Sequence, residues 1–525
     1  MRATDPIAAA GLSALMKRAV AHHSRSQFAE AEALYREILA QSPAHFDALH
    51  LLGIACHQTG RHADAVKSMR RAIDADPSQP AVYSNLGLAL QAMRRPEEAL
   101  ASYDRCLALS PDHAEALSNR GNALFALGRA QDALDSFDRA LLRSPQSAIA
   151  LNNRATALRM LDRHEEALAS CDRAIELAPG YADALCNRGN VLQDIQRYTD
   201  ALESYRRALQ SDPQHADSHW NEGLCRLLIG DYVLGWQKYE WRWKTEQAGT
   251  ARGFIQPLWL GNENLAGKTI LIHAEQGLGD TLQFCRYATR VSARGATVVL
   301  EVQKPLKALL SSLGGVSRVL ARGEPLPEFD YHCPLLSLPL AFGTTLETIP
   351  ATPGYLRCDP AEMARWRERL GPKRGPRIGL VWKVGGKNPK RSIPLVELLD
   401  LVSGEAEFFS LQKDVLPADQ AILDARKEIR QVDAELRNFS DAPLVSLMDL
   451  VITVDTSMAH LAGALGGKVW VMLPRSPEWR WMVDRDDSPW YPGARLFRAQ
   501  VFGDWRGVIG MVKDALAIEL ISGAD

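Results

Sequence analysis

The chain lacks several features that would direct it to particular classes of protein. Its 525 residues contain no apolar run of the ~20 residues that a membrane-spanning helix needs, and the amino terminus does not read as a signal peptide. The eight cysteines are scattered without a CxxC pair, a pattern that suits a reducing compartment and offers no thiolate-rich metal site. Lys and Arg number 61 against 63 Asp and Glu, so no excess charge favours bulk capture of nucleic acid. We therefore expect a cytoplasmic protein with no transmembrane segment and no nucleic-acid partner.

A spacing of 34 residues runs through the first half of the chain. Prolines recur at this spacing, and so do small residues: Pro43, Pro77, Pro111, Pro145, Pro179 and Pro213; Gly53, Gly87, Gly121, Ala155, Gly189 and Gly223; Ala31, Ala65, Ala99, Ala133, Ala167 and Ala201. Small residues let two helices approach closely, large side chains such as Tyr103 and Phe137 fill the space beside them, and each proline follows a second helix that it cannot extend. Such hairpins must stack to bury their apolar faces.

This 34-residue pattern resembles tetratricopeptide repeats (TPRs), with units starting near residues 12, 46, 80, 114, 148, 182 and 216. We predict an α-solenoid, a TPR superhelix, over residues 12–245. The dense aromatic cluster at residues 236–243 is interpreted as a last helix that caps the solenoid and docks on the next domain. Residues 246–264, rich in Gly, Asn and Gln, are interpreted as a linker.

Five asparagines share one repeat position, two residues before the small residue of each first helix: Asn85, Asn119, Asn153, Asn187 and Asn221. Stacking of the repeats would align them on the concave face. An amide offers two donors and an acceptor, so a ladder of amides could hold an extended protein or peptide segment through its backbone. The alternative is local amide bonding between neighbouring repeats.

The second half changes to short apolar runs separated by helical stretches. Six runs are predicted as strands, at residues 268–273, 296–302, 377–382, 407–412, 449–454 and 468–473. Their alternation with helices predicts a parallel sheet covered on both faces. We expect two Rossmann-like halves, at residues 265–360 and 375–525, in which ligands bind beyond the carboxyl ends of strands.

Candidate site residues follow three of these strands. After the first, Gly277 and Gly279 permit a tight loop, and Asp280 opens a helix, where it is either a proton acceptor or a helix cap. After the strand at 377–382 come Lys383, Lys387, Lys390 and Arg391, which suit a departing diphosphate or form an exposed basic loop. No GxxxxGK[ST] motif is present, so an ATPase P-loop is not supported.

The strand at 449–454 precedes Asp455, Thr456 and Ser457 at a predicted helix start, with His460 one turn later. A helix amino end favours phosphate, and these side chains could add bonds to it. The alternatives are an ordinary helix cap and a structural histidine. Asp484 and Asp486 superficially match an acidic metal-binding motif, but they follow no suitable strand, so we expect no metal.

The segments GLGDTLQFCRY, RSIPL, SLQK, DLVITVDTSMAHLAGALGGKVWVMLP and WRWMVDRDDSPWYP resemble those of bacterial TPR-glycosyltransferase fusions. The catalytic half of these fusions is similar to heptosyltransferases and, more distantly, to protein O-linked N-acetylglucosamine transferases, in whose repeats a similar asparagine ladder occurs. The resemblance implies a GT-B-like domain of two Rossmann-like halves, with the nucleotide-sugar in the C-terminal half and the acceptor near an N-terminal half that looks trimmed.

The resemblance also implies roles for single residues. Asp280 falls on the position of the general base, and Lys390 or Arg391 falls near the cation that meets the phosphates. The diphosphate-binding motif corresponds to Asp455, Thr456, Ser457 and His460. The border of the donor site would include Gly277, Gly279, Gln412 and Trp479, with packing between the two halves as the alternative for Trp479. No metal or cofactor is implied, because the nucleotide-sugar is a co-substrate.

We therefore expect a metal-independent glycosyltransferase that acts on an acceptor hydroxyl, on a protein recruited by the TPR groove. One alternative is a non-catalytic TPR scaffold for protein–protein interaction that carries a degenerate transferase domain. Another is a transferase acting on a lipopolysaccharide-type sugar, with the repeats only tethering the enzyme.

Overall fold

The computed structural model of the protein describes residues 6–245, 252–385, 389–432, 439 and 442–522. It divides into two compact units, one of Met1–Leu192 with Gln210–Asp212 and the other of Gln193–Leu209 with Pro213–Asp525. Lys387, one of the predicted diphosphate ligands, lies outside the described residues.

Residues 6–245, all of them described, contain fourteen α-helices. These are α1 (Pro6–Ser24), α2 (Phe28–Gln41), α3 (Phe46–Gln58), α4 (His62–Ala75), α5 (Pro80–Ala92), α6 (Pro96–Leu109), α7 (Ala114–Ala126), α8 (Ala130–Arg143), α9 (Ala148–Met160), α10 (His164–Leu177), α11 (Ala182–Asp194), α12 (Tyr198–Ser211), α13 (Ala216–Leu228) and α14 (Tyr232–Tyr239). The helices that begin at residues 46, 80, 114, 148, 182 and 216 start where the repeat units are predicted to start. The first unit differs, because α1 begins at Pro6, where proline suits the first turn of a helix.

The recurring small residues allow the helices of each hairpin to touch. A Cβ on Gly87 would lie 2.4 Å from the ring of Tyr103, and one on Gly121 would lie 2.4 Å from the ring of Phe137. Each predicted proline follows its second helix by two residues, as Pro145 follows the end of α8 at Arg143. The hairpin interior is therefore built as the sequence predicts.

A set of side-chain hydrogen bonds also recurs every 34 residues, and it was not predicted from the sequence. In each case an arginine on the first helix of a repeat donates to an aspartate 16 residues before it, and in two cases also to a serine 16 residues after it. The bonds are Arg120 to Asp104 (2.6 Å) and Ser136 (2.7 Å), Arg154 to Asp138 (2.6 Å) and Ser170 (2.6 Å), and Arg188 to Asp172 (2.6 Å). We call these contacts the arginine staples. They join the second helix of one repeat to the hairpin of the next.

The second unit contains two parallel sheets with helices around them. Their strands are β1 (Thr269–His273), β2 (Thr297–Val302), β3 (Arg318–Ala321), β4 (Tyr331–Pro334), β5 (Arg377–Val381), β6 (Glu407–Ser410), β7 (Ile429–Gln431), β8 (Leu450–Val454), β9 (Val469–Leu473) and β10 (Ala494–Arg498). The first sheet has the order β3-β2-β1-β4, and the second has the order β10-β9-β8-β5-β6-β7. The helices are α15 (Leu278–Phe284), α16 (Tyr287–Ser292), α17 (Lys307–Leu310), α18 (Leu338–Ala341), α19 (Pro360–Leu370), α20 (Leu395–Leu398), α21 (Pro417–Ala425), α22 (Ala442–Ser446), α23 (Ser457–Ala464) and α24 (Trp505–Ser522).

Helix α14 docks on this α/β part through the aromatic cluster interpreted as a cap. The ring of Trp236 lies 5.3 Å from that of Trp479, edge to face, and its Nε1 donates to the carbonyl of Thr344 at 3.1 Å. Trp490 Nε1 donates to the hydroxyl of Tyr232 at 3.1 Å. These bonds explain why the last helices belong to the same compact unit as the sheets.

The described part of the segment interpreted as a linker, residues 252–264, packs on the first sheet. Trp259 is fully buried, and its backbone N–H donates to the carbonyl of His332 in β4 at 2.9 Å. Arg252 pairs with the buried Glu301 on β2, and Phe254 lies over His273 at 5.6 Å. The composition of the segment is that of a linker, but its aromatic and charged anchors attach it to the sheet.

Candidate functional site

Two helices that follow predicted strands meet near their amino ends. Helix α15 follows β1, α23 follows β8, and the two helices pack against each other. A Cβ on Gly279 would lie 2.7 Å from His460 Cδ2 and 3.4 Å from the Cα of Ser457, so the close approach requires glycine. The structure therefore brings the loop of Asp280 next to the segment of residues 455–460.

Asp280 is held from two sides. Its Oδ2 accepts the backbone N–H of Gly277 at 2.8 Å, which closes the first turn of α15. Its Oδ1 pairs with Nη2 of Arg480. The side chain is still 19% exposed. Gly277 is the N-cap of α15 and Asp280 is its third residue, so Asp280 closes the helix end without being the N-cap that the sequence suggested. The carboxylate also faces an arginine that the sequence did not associate with it.

Arg480 and its neighbour Glu478 are site residues that sequence reasoning missed. The Arg480 guanidinium is buried between Asp280 and Glu478 and lies 4.3 Å from the ring centre of Trp479. Burial alone would lower the pKa of Arg480, but Glu478 and Asp280 outweigh that effect and raise it. The sequence signal that could have found them is the motif PEWRW, in which Glu478 and Arg480 adjoin two buried tryptophans.

Asp455 and Arg391 form the second ion pair of the site. Arg391 Nη2 contacts Asp455 Oδ2 and also donates to the Asp455 carbonyl at 2.7 Å. Asp455 is buried, whereas the Arg391 side chain is 30% exposed. The predicted association of the basic loop with the start of α23 is present in the structure, and it runs through Arg391.

The remaining residues of the helix start behave as a cap. Thr456 is the N-cap of α23, and its Oγ1 accepts the backbone N–H of Met458 at 3.2 Å. Thr456 and Ser457 are both half-buried. A half-buried helix end can still present its N–H groups to an anion.

His460 is buried and neutral. Its Nδ1 lies 2.9 Å from the hydroxyl of Tyr491, and its ring stacks on Trp481 with centres 5.5 Å apart. Burial, reinforced by Arg480, Arg286 and Arg391, holds the pKa of His460 well below its usual 6.5. When Nδ1 accepts from the Tyr491 hydroxyl, the proton of the neutral imidazole is on Nε2, where it can donate to an oxygen but not serve as a charged acid.

The basic loop after β5 is fixed at its base. Gln412 is buried at the end of β6, and its Oε1 accepts the backbone N–H groups of Trp382 at 3.2 Å and Lys383 at 2.9 Å. Lys390 is exposed, one residue before Arg391. Gln412 thus supports the loop through its side chain. The prediction that Gln412 also borders the donor stays a prediction.

Trp479 lies inside the aromatic cluster rather than on an open wall. It is 4% exposed and packs against Trp236, Tyr239 and Phe284. This position favours the packing interpretation of Trp479 over contact with a base.

A buried ionic network supports the loop before Asp280. Both nitrogens Nε and Nη2 of Arg242 lie 2.9 Å from the carboxylate of Glu275, which follows β1 and also accepts the N–H of Leu336 at 3.1 Å. Burial raises the pKa of Glu275, and Arg242 acts in the opposite direction. The network ties the end of the cap segment to the strand that precedes the site.

Two of the predicted ladder asparagines bond between repeats. Asn85 Nδ2 lies 2.9 Å from His50 Nε2, and Asn187 Nδ2 donates to Asn152 Oδ1 at 2.8 Å. In both pairs the partner belongs to the preceding repeat. The bonding between repeats that was the alternative interpretation is therefore present at these two positions.

Asn119 has a different setting. It lines a cavity of about 750 Å³ together with Ser118, Pro145 and the side chain of Ile149, which is 62% exposed. Asn153 and Asn221 are half-buried at the equivalent positions of α9 and α13. The prediction that the ladder holds a peptide depends most directly on Asn119.

Family comparisons identify the repeats. Models described as tetratricopeptide repeat match residues 14–80 and 120–182, residues 78–143, and residues 182–215. The N-terminal part of the chain is an array of tetratricopeptide repeats. An array of TPRs is a scaffold for protein–protein interaction, because its stacked repeats form an extended concave surface.

One curated relative is Protein FlbA of Caulobacter vibrioides, which is 27% identical over 320 residues. The match covers 55% of this chain and 53% of FlbA, so the chain spans about half the length of the curated relative it matches.

Solved TPR structures resemble parts of the chain. A tetratricopeptide repeat protein from Parabacteroides merdae is 19% identical, with a TM-score of 0.39, and the match covers 44% of this chain and 92% of that protein. MamA is 22% identical, with a TM-score of 0.29 and coverage of 31% and 96%, respectively.

Among the described residues, no group of three or more His, Cys, Asp or Glu side chains is arranged to hold a metal ion. Arg485, in the acidic segment noted in the sequence, pairs with Asp487 at 2.6 Å. In the part of the chain that the structure describes, no helix is long and apolar enough to cross a membrane.

Proposed function

We propose that the chain is a metal-independent glycosyltransferase that moves a sugar from a nucleotide-sugar to an acceptor hydroxyl, on a protein held by the TPR array. The donor diphosphate would lie at the amino end of α23, beside Arg391 and Lys390. Asp280 would be the general base. The proposal gives a chemical role to the residues at the amino ends of α15 and α23. It also gives one to the two ion pairs there, Asp280–Arg480 and Asp455–Arg391.

The observation that carries the proposal is the neighbourhood of Asp280 and the start of α23. Gly279 touches His460 and the backbone of Ser457, so a hydroxyl near Asp280 would be close to any phosphate at this helix end. Proximity of this kind is what an enzyme must provide for a direct displacement. The charge of Asp455 also acts on Arg480, which shows that the two ion pairs share one electrostatic environment.

Buried donors without protein partners support an anionic ligand. Nε of Arg391, Nε of Arg480 and Nε1 of Trp481 are buried and have no hydrogen-bond partner among the described residues. A buried N–H without a partner costs about 1–3 kcal/mol, so a ligand that satisfies such groups gains affinity. Phosphate oxygens are acceptors only, which suits a set of N–H donors.

The proposed reaction is a single inverting displacement. Asp280 takes the proton of the acceptor hydroxyl while that oxygen attacks the anomeric carbon of the sugar. The bond between this carbon and the diphosphate oxygen breaks, and the electron pair leaves with the diphosphate. Arg391 and the N–H groups of α23 stabilise the charge that develops there. His460 would donate from Nε2 without changing its charge.

Titration calorimetry of the full chain with ADP, GDP, UDP, CDP and dTDP tests the donor site. We expect one of them to bind, and Arg391→Gln to weaken binding about 10- to 100-fold, because charge-assisted hydrogen bonds contribute about 1.5–3 kcal/mol. Arg426→Gln is the matched control, since Arg426 is an exposed arginine near α21 that pairs with Glu428 at 3.7 Å. Absence of binding by every diphosphate, or equal binding by the Arg391 variant, would contradict the donor site.

A non-catalytic scaffold is the second candidate, and one observation favours it. Asp280 pairs with Arg480, and this contact occupies an oxygen of the carboxylate that would have to receive the hydroxyl proton. A scaffold would release no diphosphate from any nucleotide-sugar. A transferase would release it, and Asp280→Asn would abolish the release while leaving diphosphate binding in place.

A further inference from the structure

The pair formed by the half-buried Glu478 and the buried Arg480 is part of the site but has no role in the reaction described above. Glu478 precedes a short 3-10 helix at residues 479–481 and caps it, with Oε2 accepting the N–H of Arg480 at 3.0 Å. The other oxygen of the same carboxylate pairs with Nη1 of Arg480. Glu478 therefore fixes both the backbone and the guanidinium of one residue.

Aromatic rings restrict the guanidinium further. Its carbon lies 4.3 Å from the ring centre of Trp479 and 5.6 Å from that of Phe284, and the Arg480 side chain is only 8% exposed. Arginine on an aromatic face is attracted to the ring, and more strongly when water is excluded. These contacts hold Arg480 in an orientation in which Nη2 meets Asp280.

We propose that Arg480 is a positioning residue for the base Asp280 and that the ionised carboxylate of Glu478 holds Arg480 in place. The inference rests on the proposed glycosyl transfer and adds residues to it. Asp280 is anchored through one oxygen by the N–H of Gly277 and through the other by Arg480. Each carboxylate oxygen has two acceptor sites, so both anchors leave room for an acceptor hydroxyl.

The charges around Glu478 make this support sensitive to pH. The charged groups that face it are Arg480 on the 3-10 helix, Asp455 at the end of β8 and Asp280 on α15, while Tyr239 on α14 lies beside Arg480. Burial raises the pKa of Glu478 to about 7, with Arg480 opposing and the two aspartates adding to the increase. As the pH falls through this value Glu478 takes up a proton, and its ion pair with Arg480 is lost.

The sign of the pH effect follows from the same charges. Above pH 7 the ionised Glu478 holds Arg480 by a salt bridge, and Arg480 in turn holds the carboxylate of Asp280 in position. Turnover should therefore increase as the pH increases through about 7. Glu478→Gln keeps the shape of the side chain and removes the titration, so this step in the pH profile should disappear.

The test first screens the full chain against a panel of UDP-, GDP-, ADP-, CDP- and dTDP-sugars for release of the nucleoside diphosphate. Kinetics are then measured with the nucleotide-sugar that the wild-type protein uses. We expect Arg480→Lys to lower kcat about 100-fold, the scale of a misplaced catalytic group, with KM within about threefold. Glu478→Gln should abolish the inflection near pH 7. Arg485→Lys is the control, because Arg485 pairs with Asp487 outside the site.

The outcomes separate the two proposals. If the wild-type protein turns over a nucleotide-sugar and Arg480→Lys keeps its kcat within threefold, or if the inflection persists in Glu478→Gln, the positioning role is refuted and the transferase stands. If the wild-type protein releases no diphosphate from any member of the panel, the transferase fails and the positioning role fails with it. Should Arg480→Lys not fold, the isosteric Glu478→Gln variant decides the matter.

Discussion

Replacing Gly121 with alanine would test how closely the TPR helices fit. The added Cβ would lie 2.4 Å from Cε1 of Phe137 and 2.7 Å from two more ring atoms, and Phe137 is only 1% exposed. Overpacking of this kind costs about 1–3 kcal/mol, and the tight contact places it near the upper end. Alanine regains about 1 kcal/mol of helix propensity over glycine. We expect a net loss of about 2 kcal/mol in the free energy of unfolding.

The chain itself contains the compensated version of this substitution. Ala155 occupies the glycine position of its repeat, and the residue 16 positions later, equivalent to Phe137, is the small Cys171. In a Phe137→Cys background we therefore expect Gly121→Ala to be neutral or stabilising by up to about 1 kcal/mol. Urea unfolding followed by circular dichroism at 222 nm, on the two single variants and the double variant, measures the coupling. A coupling energy below about 0.5 kcal/mol would refute the reasoning.

Two further predictions concern stability. Burial lowers the pKa of His273 from 6.5 to about 3, so unfolding takes up a proton below pH 6.5, and His273 by itself should cost the unit about 2 kcal/mol between pH 7 and pH 5. Urea unfolding of wild type and His273→Gln at both pH values checks this, and an equal loss in the variant would contradict it. Asn85→Ala should cost about 0.5–1.5 kcal/mol through its lost bond to the preceding repeat, whereas Asn119→Ala, which faces a cavity, should cost less than about 0.5. Thermal unfolding compares the two, and similar losses would be inconsistent with their different settings.

The strands show where prediction from sequence succeeds. All six predicted strands exist, and all six lie inside their sheets, where both faces are buried and the sequence is a continuous apolar run. The four that were not predicted are β3, β4, β7 and β10, which are the edge strands of the two sheets. An edge strand is short and partly exposed. Polar residues such as Arg318, His332 and Arg430 can therefore occupy it without being fully buried. The apolar pattern that reveals interior strands is therefore weak at the edges.

The site was predictable only in part. The loops of Asp280 and Asp455 each follow a strong strand, so the rule for carboxyl ends of strands pointed to both. Arg480 lies 200 residues after Asp280 in the chain, and no local pattern links two such residues. Likewise, the resemblance placed Gln412 at the donor border, and spacing along the chain did not reveal that its amide bonds to the backbone of a neighbouring loop. Side-chain pairing across elements depends on how the elements are packed together, which spacing does not encode.

The arginine staples have a consequence for how the chain can change in length. In each staple the arginine bonds to an aspartate 16 residues before it, and Arg120 also bonds to a serine 16 residues after it. The arginines themselves recur every 34 residues. Excising residues 114–147 would place Arg154 16 positions after Asp104, which is the spacing that Arg120 has now. Gain or loss of an entire repeat therefore rebuilds the same polar connections at the new joint. The number of repeats, and with it the reach of the interaction surface, can be altered without redesigning any single interface.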